Sequence, residues 1–307
     1  MLVLIFTFID LGRLSAEDRA LAYLTREVPR WSKENKCFSC HNNGDAARTL
    51  YLAIRLGRKI NEKALSDTTA WLAKPDGWEK NAGDQKFTNK QLDRLQFSMA
   101  LLEAVDAGLI KDRQPLQKAT AMIAGLQDAN GSWPVGSDGN IGSPTTYGPA
   151  LATTQAHRLL KRADAAKYEQ AIGKADAWLR KAKVKTVLDA AAVLLALENA
   201  DDPEARTQRQ ACYALIRKGE AQDGGWGPYV SSEPEVFDTA LVLLALSRQA
   251  ETKEINGWQK RGRVYLLHSQ KKDGSWQETT RPSGADSYAQ RISTAAWATQ
   301  ALLATGK

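Results

Sequence analysis

Three near-copies of one short phrase recur along this chain: Gln127-Asp128-Ala129-Asn130-Gly131-Ser132-Trp133, Gln222-Asp223-Gly224-Gly225-Trp226 and Gln270-Lys271-Lys272-Asp273-Gly274-Ser275-Trp276. A phrase repeated in this way marks the same joint of a recurring supersecondary unit, so it restricts the architecture before any single residue is interpreted. Each copy follows a helical apolar pattern and precedes another, which predicts a loop between two helices and not part of a strand. The Asn-Gly and Asp-Gly dipeptides supply a residue at positive φ that ends the first helix. The Trp that follows is expected to cover apolar surface at the rim, and the Gln to satisfy loose backbone groups of the turn. Lys74-Pro75-Asp76-Gly77-Trp78 is a worn copy lacking the Gln.

Around these joints the apolar pattern falls into six pairs of helices. The first members contain Leu21–Leu24, Trp71-Leu72, Met122-Ile123, Trp178-Leu179, Leu215-Ile216 and Leu266-Leu267. The second members run over Ala46–Leu56, Leu92–Ala107, Tyr147–Leu160, Val187–Glu198, Val236–Ser247 and Ile292–Leu303. Second helices are rich in Ala and Leu almost all round, as expected of buried helices, and first helices carry more Lys, Arg and Glu. The expectation is an all-α fold, an (α/α)6 toroid or barrel of six helix pairs, with the second helices ringing a central cavity. One domain then spans residues 17–307, with Pro134–Pro149 as a long loop over one barrel mouth.

The net charge of +7 is modest for 307 residues. Lys and Arg are spread over many helix faces, and the densest run, Arg158 to Lys167, mixes both signs; this reads as a solvated surface and not a nucleic-acid patch. Peripheral attraction to anionic membrane surfaces is compatible with it. Met1–Ile9 is apolar and is followed by Ser15-Ala16, which resembles the end of a secretory signal over residues 1–16. There is no basic segment before it, and Asp10 and Arg13 interrupt the pattern; the alternative is an apolar strap on the first helix. Export predicts a periplasmic or secreted protein.

The Gln-to-Trp phrases resemble the QW repeats of squalene-hopene and oxidosqualene cyclases, within the α/α-toroid superfamily of terpenoid cyclases and protein prenyltransferases. The resemblance covers the chain from about Ala20. It implies the toroid fold and, less directly, an apolar or polymeric ligand in the central cavity, since one fold hosts many chemistries. The family's Asp-x-Asp-Asp motif, whose central acid protonates the polyene, is not found as such. The prenyltransferase zinc site does not transfer either, because Ala240 follows Asp238 where a Cys is needed and His268 lies on an outer helix. Asp189 and Asp238 each open an inner helix near one mouth. They are the candidate catalytic acids, against the plainer expectation that each stabilises the positive end of its helix.

The second informative motif is Cys37-Phe38-Ser39-Cys40-His41. Cys-x-x-Cys-His is the attachment signature of haem c, with two thioether cysteines and His41 as an axial ligand of the haem iron. With only three Cys and three His in the chain, this order is unlikely by chance. A Cys37–Cys40 disulfide or redox pair is the competing expectation. Met99, Met122, His157 and His268 are formal candidates for a sixth ligand, none favoured over ordinary packing. Three functions stay open: an extracytoplasmic redox or binding module with haem c and a redox partner; a squalene-type cyclase or prenyltransferase-like enzyme using Asp238 or Asp189; and a structural or interaction domain with a Cys37–Cys40 disulfide. The cavity is expected to be lined by Ala and Thr, and poor in aromatic side chains.

Overall fold

A computed structural model describes residues 14–80, 89–135, 141–281, 284 and 286–306. Twelve α-helices are named in chain order: α1 (Ala16–Asn35), α2 (Ala47–Arg55), α3 (Ser66–Leu72), α4 (Lys90–Asp106), α5 (Gln114–Ala124), α6 (Pro149–Asp164), α7 (Glu169–Lys181), α8 (Val187–Ala196), α9 (Pro203–Gly219), α10 (Val236–Leu246), α11 (Lys253–Ser269) and α12 (Tyr288–Thr305). A π-helix, Cys40–Ala46, leads directly into α2. Among the described residues there is no strand, and no helix is long and apolar enough to cross a membrane.

Even-numbered helices form the inner ring. Each packs on the next, and α12 packs back on the π-helix and α2, so the ring is closed. The inner helices owe this position to composition: along α10 only Leu244 escapes full burial, while α9 buries just Ala205, Cys212, Ile216 and Gly219. Threonines stitch neighbouring inner helices, with Thr154 Oγ1 donating to Ala192 O at 2.8 Å and Gln300 Nε2 donating to Thr49 Oγ1 at 2.9 Å.

The repeated phrases hold the two layers together. Trp133, Trp226 and Trp276 are buried, and each donates its indole N–H to a carbonyl ten residues earlier, on Ile123 (2.7 Å), Ile216 (2.8 Å) and Leu266 (2.8 Å). Burial plus that bond makes each of these tryptophans worth roughly 3–5 kcal/mol against Ala. In the worn copy Trp78 is still buried, but its indole nitrogen has no hydrogen-bond partner among the described residues.

The glycines of the phrases explain the spacing. Gly274 has φ +90°, and a Cβ there would collide with the backbone of Arg19 on α1; Gly131 and Gly224 meet α7 and α11 in the same way. Each turn therefore docks on the next outer helix as well as closing its own. The Gln residues extend that contact: Gln127 Nε2 donates to Ala171 O at 2.8 Å, and Gln270 Nε2 to Ala16 O at 2.8 Å. The last copy thus joins the C-terminal repeat to the first helix of the chain.

Candidate active site in the toroid lumen

The inner helices begin at the mouth where the repeated turns lie, and the first of these joints departs from the others. Ser39 caps the π-helix, its hydroxyl accepting from the backbone N–H groups of His41 and Asn42 at 3.2 Å. Single π turns recur at functional sites because they re-aim successive side chains. Here Cys40 and His41 turn toward the two ring neighbours. The Cys40 thiol bonds the Asp93 carboxyl on α4, and burial holds the thiol well above its ordinary value and pushes Asp93 up to about 6. The His41 ring goes the other way, with Nδ1 2.8 Å from Ser293 Oγ on α12. Burial lowers His41 to about 4, so its imidazole is neutral at physiological pH. Phe38, between the two cysteines in sequence, stacks on Trp71 at 4.7 Å. Cys37 and Cys40 are free thiols. Among the described residues no group of three His, Cys, Asp or Glu side chains is arranged to hold a metal ion.

Asp238 and Asp189 occupy different environments. Asp238 is 1% exposed, and both its oxygens accept from Arg281, at 3.0 and 3.1 Å. Arg281 also binds Glu235 and donates to Gly142 O at 2.9 Å, so it straps the segment after α11 to α10 and to the loop before α6. Burial pushes Asp238 up to about 7 against the pull of Arg281. With both oxygens engaged by one guanidinium, Asp238 anchors this strap. Asp189 is half-buried in the first turn of α8. Burial raises its pKa, opposed by hydrogen bonds at Thr186 and Lys185, and its charge is felt by Cys212 on outer helix α9. A carboxylate in that first turn, beside the N-cap Thr186, also favours the positive end of the helix. Of the long loop, Pro134-Val135 and residues 141–148 are described; its residues 136–140 and the apolar Met1–Ile9 lie outside the described residues. His157 faces outward, with Nε2 3.1 Å from Asp176 on α7.

A third buried carboxyl inside the ring is Asp45, on the π-helix. It is fully buried. Gln96 Nε2 on α4 donates to it at 2.9 Å, and the Tyr147 hydroxyl, just before α6, donates at 3.0 Å. The Ser293 hydroxyl bonds it as well. These partners come from three different ring segments, so Asp45 lies where the inner helices converge. All three are neutral. Burial therefore dominates and raises Asp45 to about 6, with Ser293, Arg48, Tyr147 and Gln96 pulling the other way. Ser293 bonds His41 on one side and Asp45 on the other, which makes a continuous line His41–Ser293–Asp45–Tyr147. Tyr147 sits at φ +57°, a strained conformation for a tyrosine, held by the turn that aims its hydroxyl at Asp45.

The lumen wall is more aromatic than the sequence suggested. Tyr147 and Phe237 each meet Trp297 edge-on, at 5.8 and 5.5 Å, and Arg48 lies 5.5 Å over the same indole. Glu235-Val236-Phe237-Asp238 keeps acids at the first and fourth positions of an Asp-x-Asp-Asp pattern and has Phe at the third. Asp45, Arg48, Gln96, Gln155 and Ser293 were missed. The available signal was the pair Asp45 and Arg48, three residues apart where the π-helix runs into the largely apolar α2, since buried charges rarely occur without a task.

No family model and no curated relative matches the chain. Solved structures do match in fold. A variant of the type II terpene cyclase MstE from Scytonema, in complex with geranylgeranyl dihydroxybenzoate as substrate, superimposes with a TM-score of 0.65 at 12% identity, over 97% of this chain and 99% of that one. An MstE complex with the product merosterolic acid A gives 0.59 at 14% identity, over 96% and 99%. The ent-copalyl diphosphate synthase of Streptomyces platensis gives 0.53 at 17% identity; it covers 86% of this chain, which in turn matches 50% of the synthase. With the closed ring of six helix pairs, these likenesses establish the architecture: an all-α (α/α)6 toroid of the kind found in type II terpene cyclases.

Proposed function

We propose that this protein is a terpenoid-cyclase-like enzyme that encloses an apolar polyene in the toroid and starts its rearrangement by proton transfer from Asp45. The observation that carries this reading is a fully buried carboxyl among the inner helices whose hydrogen-bond partners are all neutral, with only the more distant charge of Arg48 opposing the effect of burial. Such a group keeps a substantial protonated fraction near pH 6. In the reaction the Asp45 O–H bond breaks as a C–H bond forms at an alkene carbon, leaving a carbocation beside the faces of Trp297, Phe237 and Tyr147. Loss of a proton from the rearranged cation makes the overall change an isomerisation, with no oxidant or reductant required. The neutral His41 ring and the Ser293 hydroxyl lie in line to return a proton to Asp45.

The test is incubation with squalene and with geranylgeraniol at pH 5.5, followed by gas chromatography and mass spectrometry of the extract. A cyclised product from one of them, lost at least 100-fold in Asp45→Asn, supports the reading. Its rate should rise as pH falls through about 6, because the protonated acid is the active form. An Asp45→Asn variant that turns over at the wild-type rate would overturn the assignment, as would the absence of product from both substrates with folded wild-type protein.

A second reading rests on the Cys37-x-x-Cys40-His41 spacing: covalent haem c, held by both thiols with His41 as an axial ligand. Ser293 at Nδ1 would leave Nε2 for the iron, in keeping with how metal-binding histidines are oriented. As folded, Cys40 and His41 face different ring neighbours, so attachment requires the Cys40 thiol to leave Asp93. This reading implies export, a redox partner and the Met1–Ile9 segment as signal. Protein produced with haem-maturation machinery should then show a Soret band that survives acid-acetone extraction, and loses it in Cys37→Ser; a colourless protein overturns it.

A further inference from the structure

We propose that Cys37 and Cys40 are a redox-active dithiol that small-molecule disulfides oxidise to an internal disulfide, Cys37 being the attacking thiol and Cys40 the resolving one. Both cysteines are free and half-buried, and Cys-x-x-Cys at the start of a helix is the usual setting of reactive thiols. The two are not equivalent. Cys40 opens the π-helix, packs against the hydrophobic core and bonds the Asp93 carboxyl on α4. Cys37 lies in the bend after α1, next to the exposed Lys36 that ends that helix at φ 55°. A reagent arriving from solvent therefore meets Cys37 first. Phe38 is stacked on Trp71 and Ser39 caps the π-helix, so both thiols are carried on a short segment held at its middle.

A structural staple is the plainer use of such a pair, and the spacing argues against it. A bond across Cys-x-x-Cys closes a very small loop and removes little disorder from the unfolded chain. It also takes Cys40 off Asp93, a bond that the reduced form keeps. Stabilising the dithiol in this way makes the disulfide easier to reduce, as an exchanging pair requires. Oxidation then proceeds by two exchanges. The Cys37 thiolate, its proton lost to solvent, attacks one sulfur of RSSR, and RS⁻ leaves. Cys40 attacks the Cys37 sulfur of the mixed disulfide while its proton passes to the Asp93 carboxylate, and the second RS⁻ leaves. The departing thiolates take up the two protons, so the dithiol loses two electrons and RSSR becomes two RSH. Cys40 stands one π turn before Asp45 and feels its charge, which sets this exchange beside the candidate acid.

The inference goes beyond the proposed cyclisation and needs neither its substrate nor Asp45; it takes both thiols as free of haem. Wild-type protein is equilibrated without oxygen in mixtures of reduced and oxidised glutathione, quenched with acid, alkylated in denaturant and read by intact mass and peptide mapping. A single two-electron transition is expected, in which Cys37 joins Cys40, the buried Cys212 stays alkylatable, and dithiothreitol restores both thiols. Cys40→Ser should accumulate glutathione on Cys37, whereas in Cys37→Ser the remaining Cys40 should react at least about 10-fold more slowly. Asp93→Asn weakens the bond that holds the reduced form. It should move the midpoint toward the disulfide by about 10-fold in the glutathione ratio, a readout that altered packing alone would not shift. Wild-type protein with both cysteines alkylatable at every ratio overturns the proposal. So does glutathione on each cysteine with no internal disulfide, or haem covalently joined to both. These outcomes are all read on the wild type, so a variant that fails to fold does not rescue the idea.

Discussion

Asp45 and Asp238 are both buried carboxyls at the start of inner segments of one ring, yet they are held in opposite ways. Asp238 is clasped through both oxygens by Arg281, which also ties down Glu235 and the loop carbonyl of Gly142. Asp45 has a hydroxyl from Tyr147, an amide from Gln96 and a hydroxyl from Ser293. Burial raises both, to about 7 and about 6. The difference lies in what each oxygen can still do. A guanidinium engaging both oxygens ties Asp238 to the strap, whereas the neutral donors around Asp45 leave it no such structural partner.

The largest effect should come from breaking the clasp. Arg281→Ala leaves Asp238 buried and unpaired, and is expected to cost about 3–5 kcal/mol of unfolding free energy at pH 8, read by urea denaturation. The loss should shrink at pH 5, where Asp238 takes up a proton. A loss below about 1 kcal/mol at pH 8 would remove the distinction between the two acids.

The next effect concerns Asp45. Its folded pKa, raised from 3.8 to about 6, means that the unfolded chain ionises first. The stability tied to its protonated form is complete below about pH 4 and declines as pH rises to about 6, by on the order of 3 kcal/mol. Asn cannot ionise. Asp45→Asn should therefore match the wild type within about 1 kcal/mol at pH 4 and gain on it by as much as about 3 kcal/mol at pH 7. Parallel stability curves for the two proteins would show that Asp45 is not desolvated in the way described.

The smallest effect isolates one donor. Tyr147→Phe removes the hydroxyl that favours the Asp45 carboxylate, so the acid limb of any Asp45-dependent activity should move to higher pH, with a stability loss of about 1 kcal/mol. A shift to lower pH would contradict the arrangement. Ser293→Ala should act in the same direction and also free the His41 ring.

Much of the architecture was legible in the chain because it repeats. A turn that must end one helix, bury a tryptophan and admit the next outer helix needs Asp or Asn, Gly and Trp at fixed spacing, and the sequence states this three times. The pairing of outer with inner helices followed from charge on one set and its scarcity on the other. The site was legible only in part. Asp238 was found as an acid at a helix start, but its partner Arg281 lies 43 residues away in a connecting segment, where no periodicity points to it. Asp45 was passed over because it follows a Cys-x-x-Cys-His motif that drew attention to its neighbours.

The sequence by itself determined the helical class, the six pairs, their inner and outer layers and the joints between them, because these depend on local spacing and on which faces are apolar. Only the tertiary structure decided which partners each acid has. That choice rests on ring closure, which brings Ser293 beside His41 across 252 positions and Tyr147 to Asp45 across 102. Pairing a buried carboxyl with an arginine or with neutral donors is a matter of distance in space, and a linear chain carries no record of that distance until the toroid closes.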